Sequence, residues 1–272
     1  MKNVIIFATF ALGYFLAIAA TPLLGVAAPL GEVAIYTERA GWMGQPAAVR
    51  EGEELADLLK KAKDVVTLTG KEIGPWAEKH TDNGQSDIIV TFGDFPEALY
   101  TPGNAEPDDS VAEKFLEGGN IFLNTADYIF YVVNGAGTNG VDGLKNMMDI
   151  NADMWADDTA IKPTADGEKY TPTLAAFTSA RTFKRAQIVN PWEVEVVFGD
   201  NGSGFLDPVI VHDTQTDGRI GIAYQLPGND GLPRGKVFAE MIDNYLADAL
   251  GGAAVDPNEK ATTTWAHIKS DF

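Results

Sequence analysis

The feature that most constrains the fold is a regular alternation of strand-like and helix-like segments through the first half of the chain. Short β-rich runs such as GEVAIYT (31–37) and SDIIVTFGDFP (86–96) flank segments with apolar residues at helical spacing, such as QPAAVREGEELADLLKKAKD (45–64). Strands that alternate with helices pair in parallel through right-handed crossovers, which places helices on both faces of the sheet. The sequence therefore predicts a three-layer α/β fold with a flavodoxin-like, mostly parallel sheet.

The second half has a different pattern, which predicts an antiparallel C-terminal extension of that sheet. WEVEVVFGD (192–200) is typical of a strand, and PVIVHDTQTDGRIGIAYQ (208–225) has the pattern of a hairpin. The segment 156–173 has the composition of a loop, and AQIVN (186–190) has that of a short strand. An amphipathic helix is predicted over 233–250.

The N-terminal segment predicts export. One lysine precedes an uncharged apolar run and then small residues, which is the layout of a secretory signal peptide over 1–27. The apolar run, 4–20, is also long enough for an uncleaved membrane anchor, which remains the alternative. We therefore expect a secreted or periplasmic protein with one α/β domain over 28–250 and a polar tail over 251–272.

Composition excludes several chemistries and partners. The chain of 272 residues has no cysteine, so it has no thiol nucleophile, no disulfide and no cysteine-ligated metal. Its net charge of −19, without a basic cluster, argues against nucleic acid and anionic membrane surfaces as partners. Such an acidic surface favours solubility, and binding of divalent cations is the alternative.

Two acidic loops begin like calcium-binding loops. In DINADMWADD (149–158), Met154 stands where the loop needs glycine, and Ala160 stands where the closing glutamate belongs. DTQTDGR (213–219) has its glycine, Gly218, but Tyr224 stands at the closing position. A solvated loop and a hairpin turn are the favoured interpretations. We therefore expect no metal or cofactor, with a divalent cation such as calcium as the alternative.

Polar and aromatic residues follow several strands. They are therefore expected at the rim of the sheet formed by the carboxyl ends of the parallel strands, which is where ligands bind in such sheets. Aromatic rings pack against the apolar faces of sugars, and neighbouring polar groups bind the hydroxyls. Packing of the same rings in the core is the competing interpretation, above all for Tyr128 and Tyr131. The candidate ligand-binding residues are Glu38, Arg39, Trp42, Asn124, Thr125 and Tyr128.

The candidate catalytic residues are Asp94, Asp127 and His212. The carboxylates are candidates for an acid or a base, and His212 is a candidate base if its strand end faces the same rim of the sheet. We expect the other histidines, His80 and His267, to lie on the surface.

The run KFLEGGNIFLNTADYIFY (114–131), with the strand and helix order before it, resembles class I glutamine amidotransferase-like domains and, within them, the trehalose-utilisation (ThuA-like) group. In those proteins a Gly-Gly turn leads into the strand whose end carries the functional elbow. The resemblance places the amidotransferase nucleophile within 124–126, where this chain has no cysteine, so a Cys-His-Glu triad is excluded. Asn124 or Thr125 stands where ThuA-like proteins tend to have a histidine.

Two functions follow from these patterns. The first is a non-catalytic domain that binds a small polar ligand, such as a saccharide, at the rim. The second is a carbohydrate-active enzyme that uses Asp94 or Asp127 as acid or base, with Glu38 or His212 as its partner. Convergence of Asp94, Asp127 and Glu38 in one pocket would favour the enzyme, whereas an Asp127 that caps a helix beginning at ADYIFY would not. The sequence leaves the oligomeric state open.

Overall fold

The computed structural model describes residues 28–228 and 231–251. The predicted signal peptide, the tail from 252 onward and His267 lie outside the described residues, so the expectations about them remain predictions. Within those described ranges, no helix is both long and apolar enough to cross a membrane.

The described chain contains two β-sheets. Its strands are β1 (Leu30–Ile35), β2 (Val65–Thr67), β3 (Ser86–Thr91), β4 (Ile121–Thr125), β5 (Trp155–Pro163), β6 (Phe177–Arg181), β7 (Phe183–Lys184), β8 (Trp192–Val197), β9 (Gly199–Asp200), β10 (Phe205–Leu206), β11 (Val209–Asp213) and β12 (Arg219–Ala223). The larger sheet has the order β2-β1-β3-β4-β12-β11-β8, and the smaller has the order β6-β5-β9-β10-β7.

Strand direction confirms the predicted architecture. β2, β1, β3, β4 and β12 pair in parallel, whereas β11 runs antiparallel to both of its neighbours. Every pair in the smaller sheet is antiparallel. The chain therefore has an α/β fold with a mostly parallel sheet and an antiparallel extension, and the predicted hairpin is formed by β11 and β12.

Helices cover both faces of the larger sheet. They are α1 (Gln45–Leu58), α2 (Ile73–His80), α3 (Val111–Glu117), α4 (Asp142–Met148), α5 (Ala165–Tyr170), α6 (Arg234–Glu240) and α7 (Ala247–Gly251), and a π-helical segment (Met241–Leu246) joins α6 to α7. α3 begins where the sequence predicts, because the Ser110 hydroxyl accepts a hydrogen bond from the Glu113 amide at 3.0 Å. The helix ends at the Gly118–Gly119 turn, and Gly119 has a φ of 80°.

Alternate residues of the central strands supply two separate core layers. Ile88, Val90 and Leu123 face one side of the sheet, where they pack with residues of α1 and α6. Ile89 and Phe122 face the other side, where they pack with residues of α2 and α3. This alternation with period two confirms the three layers.

Four local predictions were wrong. The segment 156–173, expected to be a loop, contains most of β5 and all of α5, because pairing with β6 and β9 orders a strand whose side chains are mostly exposed. Part of AQIVN forms a short 3₁₀ turn (Arg185–Gln187) rather than a strand. The segment ADYIFY forms turns rather than a helix. His80 is buried, because its ring stacks on Trp76 with centroids 4.0 Å apart and its Nε2 lies 3.3 Å from Glu32.

Candidate functional site

The turn after β4 has the backbone of an elbow but carries no nucleophile at its strained position. Ala126 is the first residue after the strand; it has a φ of 79° and is fully buried. A non-glycine residue with positive φ at a strand end resembles the strained turn that presents the nucleophile in α/β hydrolases. Here the residue presents only a methyl group, and no helix follows it.

Asn124 and Thr125, both predicted to bind a ligand, are buried and hydrogen-bonded within the protein. The Asn124 Oδ1 accepts from the Thr91 hydroxyl at 2.8 Å and from the Gly93 amide at 3.1 Å, and its Nδ2 donates to the Asp127 carbonyl at 2.6 Å. The Thr125 hydroxyl accepts from Arg234 Nε at 3.0 Å. Both side chains therefore hold the strand ends together, and neither is exposed to solvent.

A cavity of about 430 Å³ lies beside this turn, at the carboxyl ends of the parallel strands. Its walls come from the loops after β1, β4 and β12 and from two strands of the smaller sheet. The lining residues are Trp42, Asp127, Tyr128, Tyr131, Trp155, Arg181, Pro227 and Gly228. We call it the rim cavity. It contains three of the predicted residues: Trp42, Asp127 and Tyr128.

Aromatic rings form much of the rim cavity. The Trp155 ring lies 5.8 Å from that of Tyr128 and 5.9 Å from that of Tyr131, in edge-to-face arrangements. Trp42 is 68% exposed and Trp155 is 41% exposed, so both indole rings present apolar surface to solvent. Exposed tryptophans that line a cavity are typical of ligand contact rather than of core packing.

A carboxylate and a guanidinium form the polar part of the rim cavity. Asp127 Oδ1 lies 3.4 Å from Arg181 Nε and accepts a hydrogen bond from the Tyr128 amide at 2.7 Å. The Arg181 guanidinium also lies 3.9 Å above the Trp155 ring, in a cation–π contact, and pairs with Asp157. Burial raises the pKa of the Asp127 carboxyl, although the Tyr128 amide and the Arg181 charge act against that shift.

Glu38, Arg39 and Asp94 form a separate group beside the rim cavity. Glu38 Oε2 accepts from the Gly70 amide at 2.5 Å. Burial raises the pKa of Asp94 to about 6, against the effect of the Gly135 amide and of the Arg39 charge. None of the three is among the residues that line the rim cavity. The convergence of Asp94, Asp127 and Glu38 in one pocket, which would have favoured the enzyme, therefore does not occur there.

His212 lies beside the amino ends of the parallel strands, whereas the rim cavity lies at their carboxyl ends. Because β11 runs antiparallel, the end of that strand pairs with Arg219 at the start of β12, and Arg219 in turn pairs with Ile121 at the start of β4. The His212 ring lies between Glu193 at 3.3 Å and Asp217 at 3.2 Å. The condition for a role beside Asp127, namely that its strand end faces the same rim, is not met.

Sequence reasoning missed two important residues of the rim cavity, Trp155 and Arg181. They pair with each other across β5 and β6, in the part of the chain that carried no clear strand pattern. A tryptophan within the polar run ADMWADD was the one signal in the sequence that an exposed aromatic ring has a role there. Within 28–228 and 231–251, no group of three histidine or acidic side chains has the spacing to hold a metal ion.

Fold and cavity together define an α/β protein with a flavodoxin-like sheet and an aromatic cavity at the carboxyl ends of its strands. No protein-family model matches the chain, and no curated protein matches it. Among solved structures it is similar to the crystal structure of a "putative ThuA-like protein" from Bacteroides uniformis, with 14% identity over 81% of this chain and 94% of that chain, and a TM-score of 0.44. A likeness at that TM-score does not assign a family or a function.

Proposed function

We propose that this chain is an exported, non-catalytic, glutamine amidotransferase-like domain that binds a small polar ligand of the saccharide class in the rim cavity. The observation that carries the proposal is the pair of partly exposed tryptophans, Trp42 and Trp155, in one cavity with the ion pair of Asp127 and Arg181. Indole rings pack against the C–H faces of a sugar ring, and the carboxylate and guanidinium bind hydroxyl groups in fixed directions.

The elbow supports a role without covalent catalysis. Ala126 occupies the strained position after β4, and its methyl group cannot act as a nucleophile. The neighbouring polar side chains, Asn124 and Thr125, are held by hydrogen bonds within the protein. A domain that keeps this backbone but presents no nucleophile at the elbow is suited to binding.

The second candidate is a carbohydrate-active enzyme in which Asp127 acts as the acid. The raised pKa of this carboxyl, in a cavity with aromatic walls, is the observation that favours it. Glycoside hydrolysis by the usual mechanism needs a second carboxylate within about 10 Å. Asp157 is near, because it and Asp127 both contact Arg181, but Asp157 is paired with that guanidinium and does not line the rim cavity. Of the described residues that line the cavity, Asp127 is the only one with a carboxylate, so binding is the better-supported function.

A saccharide panel tests the proposal through thermal unfolding and tryptophan fluorescence of the purified protein. A ligand at 100 times its Kd stabilises the native state by about 2.7 kcal/mol. We expect at least one saccharide to raise the melting temperature of the parent and to lose its effect in Trp155→Ala and Asp127→Asn. Val189→Ala, which removes part of another exposed apolar side chain, is the matched control and should respond like the parent.

Three outcomes separate the candidates. A sugar-dependent shift that both rim substitutions abolish, without release of product, supports binding. A shift accompanied by release of product that Asp127→Asn stops supports the enzyme instead. If no saccharide shifts the unfolding of the parent, or if the shift persists in both variants, the saccharide proposal is wrong.

A further inference from the structure

A second cavity, of about 110 Å³, lies at the amino ends of the parallel strands, on the opposite edge of the sheet from the rim cavity. It is formed by α3, the end of α4, the turn between β11 and β12, and the residues at the start of β8. Its lining residues are Glu113, Leu116, Glu117, Met147, Met148, Asp149, Pro191, Trp192, Asp213, Gln215 and Thr216. We call it the acidic cavity.

Among the lining residues, four side chains are acidic and none is basic. The neighbouring lysines are engaged elsewhere, since Lys114 pairs with Asp109 at 3.4 Å and Lys145 pairs with Asp142 at 3.4 Å. Carboxylates that surround one cavity without a counter-charge repel one another, most of all at the buried Glu113, where the protein screens charge less than water does. The acidic cavity therefore favours a bound cation.

Glu113 is the observation that distinguishes the acidic cavity from a solvated acidic surface. This residue is only 7% exposed, and its Oε2 is buried and accepts no hydrogen bond in the described structure. A buried carboxylate oxygen without a donor is costly, and native proteins satisfy such atoms with a protein group, an ordered water or an ion.

The acidic cavity brings together the first acidic residues of the two incomplete calcium-like loops. Asp149 is the first residue of one loop and Asp213 is the first residue of the other, and the fold brings both to this cavity. The later acids of these loops have other partners, since Asp153 binds Lys184, Asp157 binds Arg181 and Asp217 binds His212. Each loop thus contributes its first carboxylate to one shared place.

We propose that the acidic cavity binds a hydrated divalent cation of the calcium or magnesium class. The ion keeps much of its water, because no three acidic side chains of the described chain stand at the spacing of direct ligands. The available volume suits this arrangement, since one water occupies about 30 Å³ of the liquid. Asp213 is already oriented, because its carboxylate accepts from the Gln215 amide at 2.8 Å and from the Thr216 hydroxyl at 3.0 Å.

Trp192 provides a direct readout, because its indole ring lines the acidic cavity. A terbium ion bound there accepts excitation energy from this tryptophan and emits. We expect saturable terbium emission from the purified full-length protein, displaced by calcium or by magnesium, and the stronger competitor identifies the preferred ion. Trp192→Phe should lose the emission while the divalent ion still raises its melting temperature.

Substitutions of a carboxylate by the corresponding amide locate the site. Glu113→Gln, Asp149→Asn and the more exposed Glu117→Gln should each weaken cation binding by about tenfold or more. Glu53→Gln and Asp82→Asn make the same chemical changes on exposed parts of α1 and of the turn after α2, and they should bind like the parent. Because Glu117 and Asp149 are exposed, their substitutions test the site even if Glu113→Gln folds poorly.

The proposal is overturned if divalent ions raise the melting temperature no more than sodium chloride of equal ionic strength. It is equally overturned if terbium emission persists unchanged in Glu117→Gln and in a Glu113→Gln, Asp149→Asn double variant. That result would indicate diffuse attraction to the acidic surface. Neither result bears on the saccharide proposal, because the two cavities lie at opposite edges of the sheet.

Discussion

Asn124 is a single buried side chain that connects the ends of β3 and β4 with the turn after β4. Its amide receives hydrogen bonds from Thr91 and Gly93 and donates one to the Asp127 carbonyl. Its position in the sequence suggested contact with a ligand, and the structure shows instead that it positions Asp127. Asn124 therefore affects the rim cavity indirectly, because it holds the turn that carries Asp127 and does not itself line the cavity.

Asn124→Ala should destabilise the native state by about 2–3 kcal/mol, because it leaves buried donors and an acceptor without partners. Urea unfolding measures the change. Asn151→Ala, which truncates an exposed asparagine, is the control and should change the free energy of unfolding by less than about 0.5 kcal/mol. Equal effects of the two substitutions would contradict the structural role of Asn124.

Asp207 is a second buried polar residue, and it should make stability depend on pH. Burial raises its pKa to about 7, even though Ser179 Oγ donates to it at 2.7 Å and the Gln225 amide at 2.8 Å. In the unfolded chain an aspartate has a pKa of about 3.9. Between those values the native state holds more protons than the unfolded state, so the contribution of Asp207 to stability falls as pH rises from about 4 to 7.

Asp207→Asn should remove this dependence, and each unit of pKa difference corresponds to about 1.4 kcal/mol. Free energies of unfolding at about pH 5 and pH 8 measure the effect, because these values lie below and above the folded-state pKa. The parent should lose more stability than the variant over this interval. Identical losses would mean that Asp207 does not titrate in the native protein.

At the scale of elements, Gly235 lies at a close contact between α1 and α6. A Cβ atom at this position would stand 2.1 Å from the Glu51 carbonyl oxygen on α1, and the Gly235 amide donates to Glu51 Oε2 at 3.0 Å. Only glycine lets the two helix backbones pack this tightly against the same face of the sheet.

Gly235→Ala should therefore destabilise the protein by about 1–3 kcal/mol through overpacking. Gly251→Ala is the matched control, because a Cβ on that helical residue meets no other atom within 4 Å. The control should be neutral or slightly stabilising, since alanine favours helix more than glycine does. Thermal unfolding of both variants distinguishes helix propensity from the steric effect.

The elements that the sequence predicts well are those whose pattern is local. The strand Ser86–Thr91 has the apolar centre IIV and is bounded by turns, and Ser110 with Glu113 marks the start of α3, so both follow from neighbouring residues. β5 is different, because most of its side chains are exposed and its order comes from pairing with distant strands. Tertiary pairing, rather than propensity, decides such a segment.

The same distinction applies to the candidate site. Trp42, Asp127 and Tyr128 follow strands of the parallel sheet. Because ligands bind beyond the carboxyl ends of such strands, the sequence alone predicts that these residues lie near one site. Trp155 and Arg181 reach the rim cavity only because the antiparallel sheet packs beside it. The condition for a role of His212 is not met for a related reason, since the antiparallel direction of β11 places the end of that strand beside the amino ends of the parallel strands.

For the whole molecule, the net charge of −19 should make stability depend on salt. Repulsion among surface carboxylates opposes the compact state, and sodium chloride screens it. The melting temperature should rise between about 0.01 M and 1 M salt, where the screening length falls from about 30 Å to 3 Å. A melting temperature that stays constant or falls would show that local ion pairs dominate over the net charge.

The walls of the rim cavity belong to both sheets, since Asp127 follows a parallel strand whereas Trp155 and Arg181 lie in β5 and β6. A ligand that contacts Asp127, Trp155 and Arg181 connects the two sheets, which can otherwise unfold locally and independently. Ligand binding should therefore slow amide hydrogen exchange in β5 and β6 more than in β2, at the far edge of the larger sheet. In kinetic terms, the bound ligand would slow the local unfolding of β5 and β6.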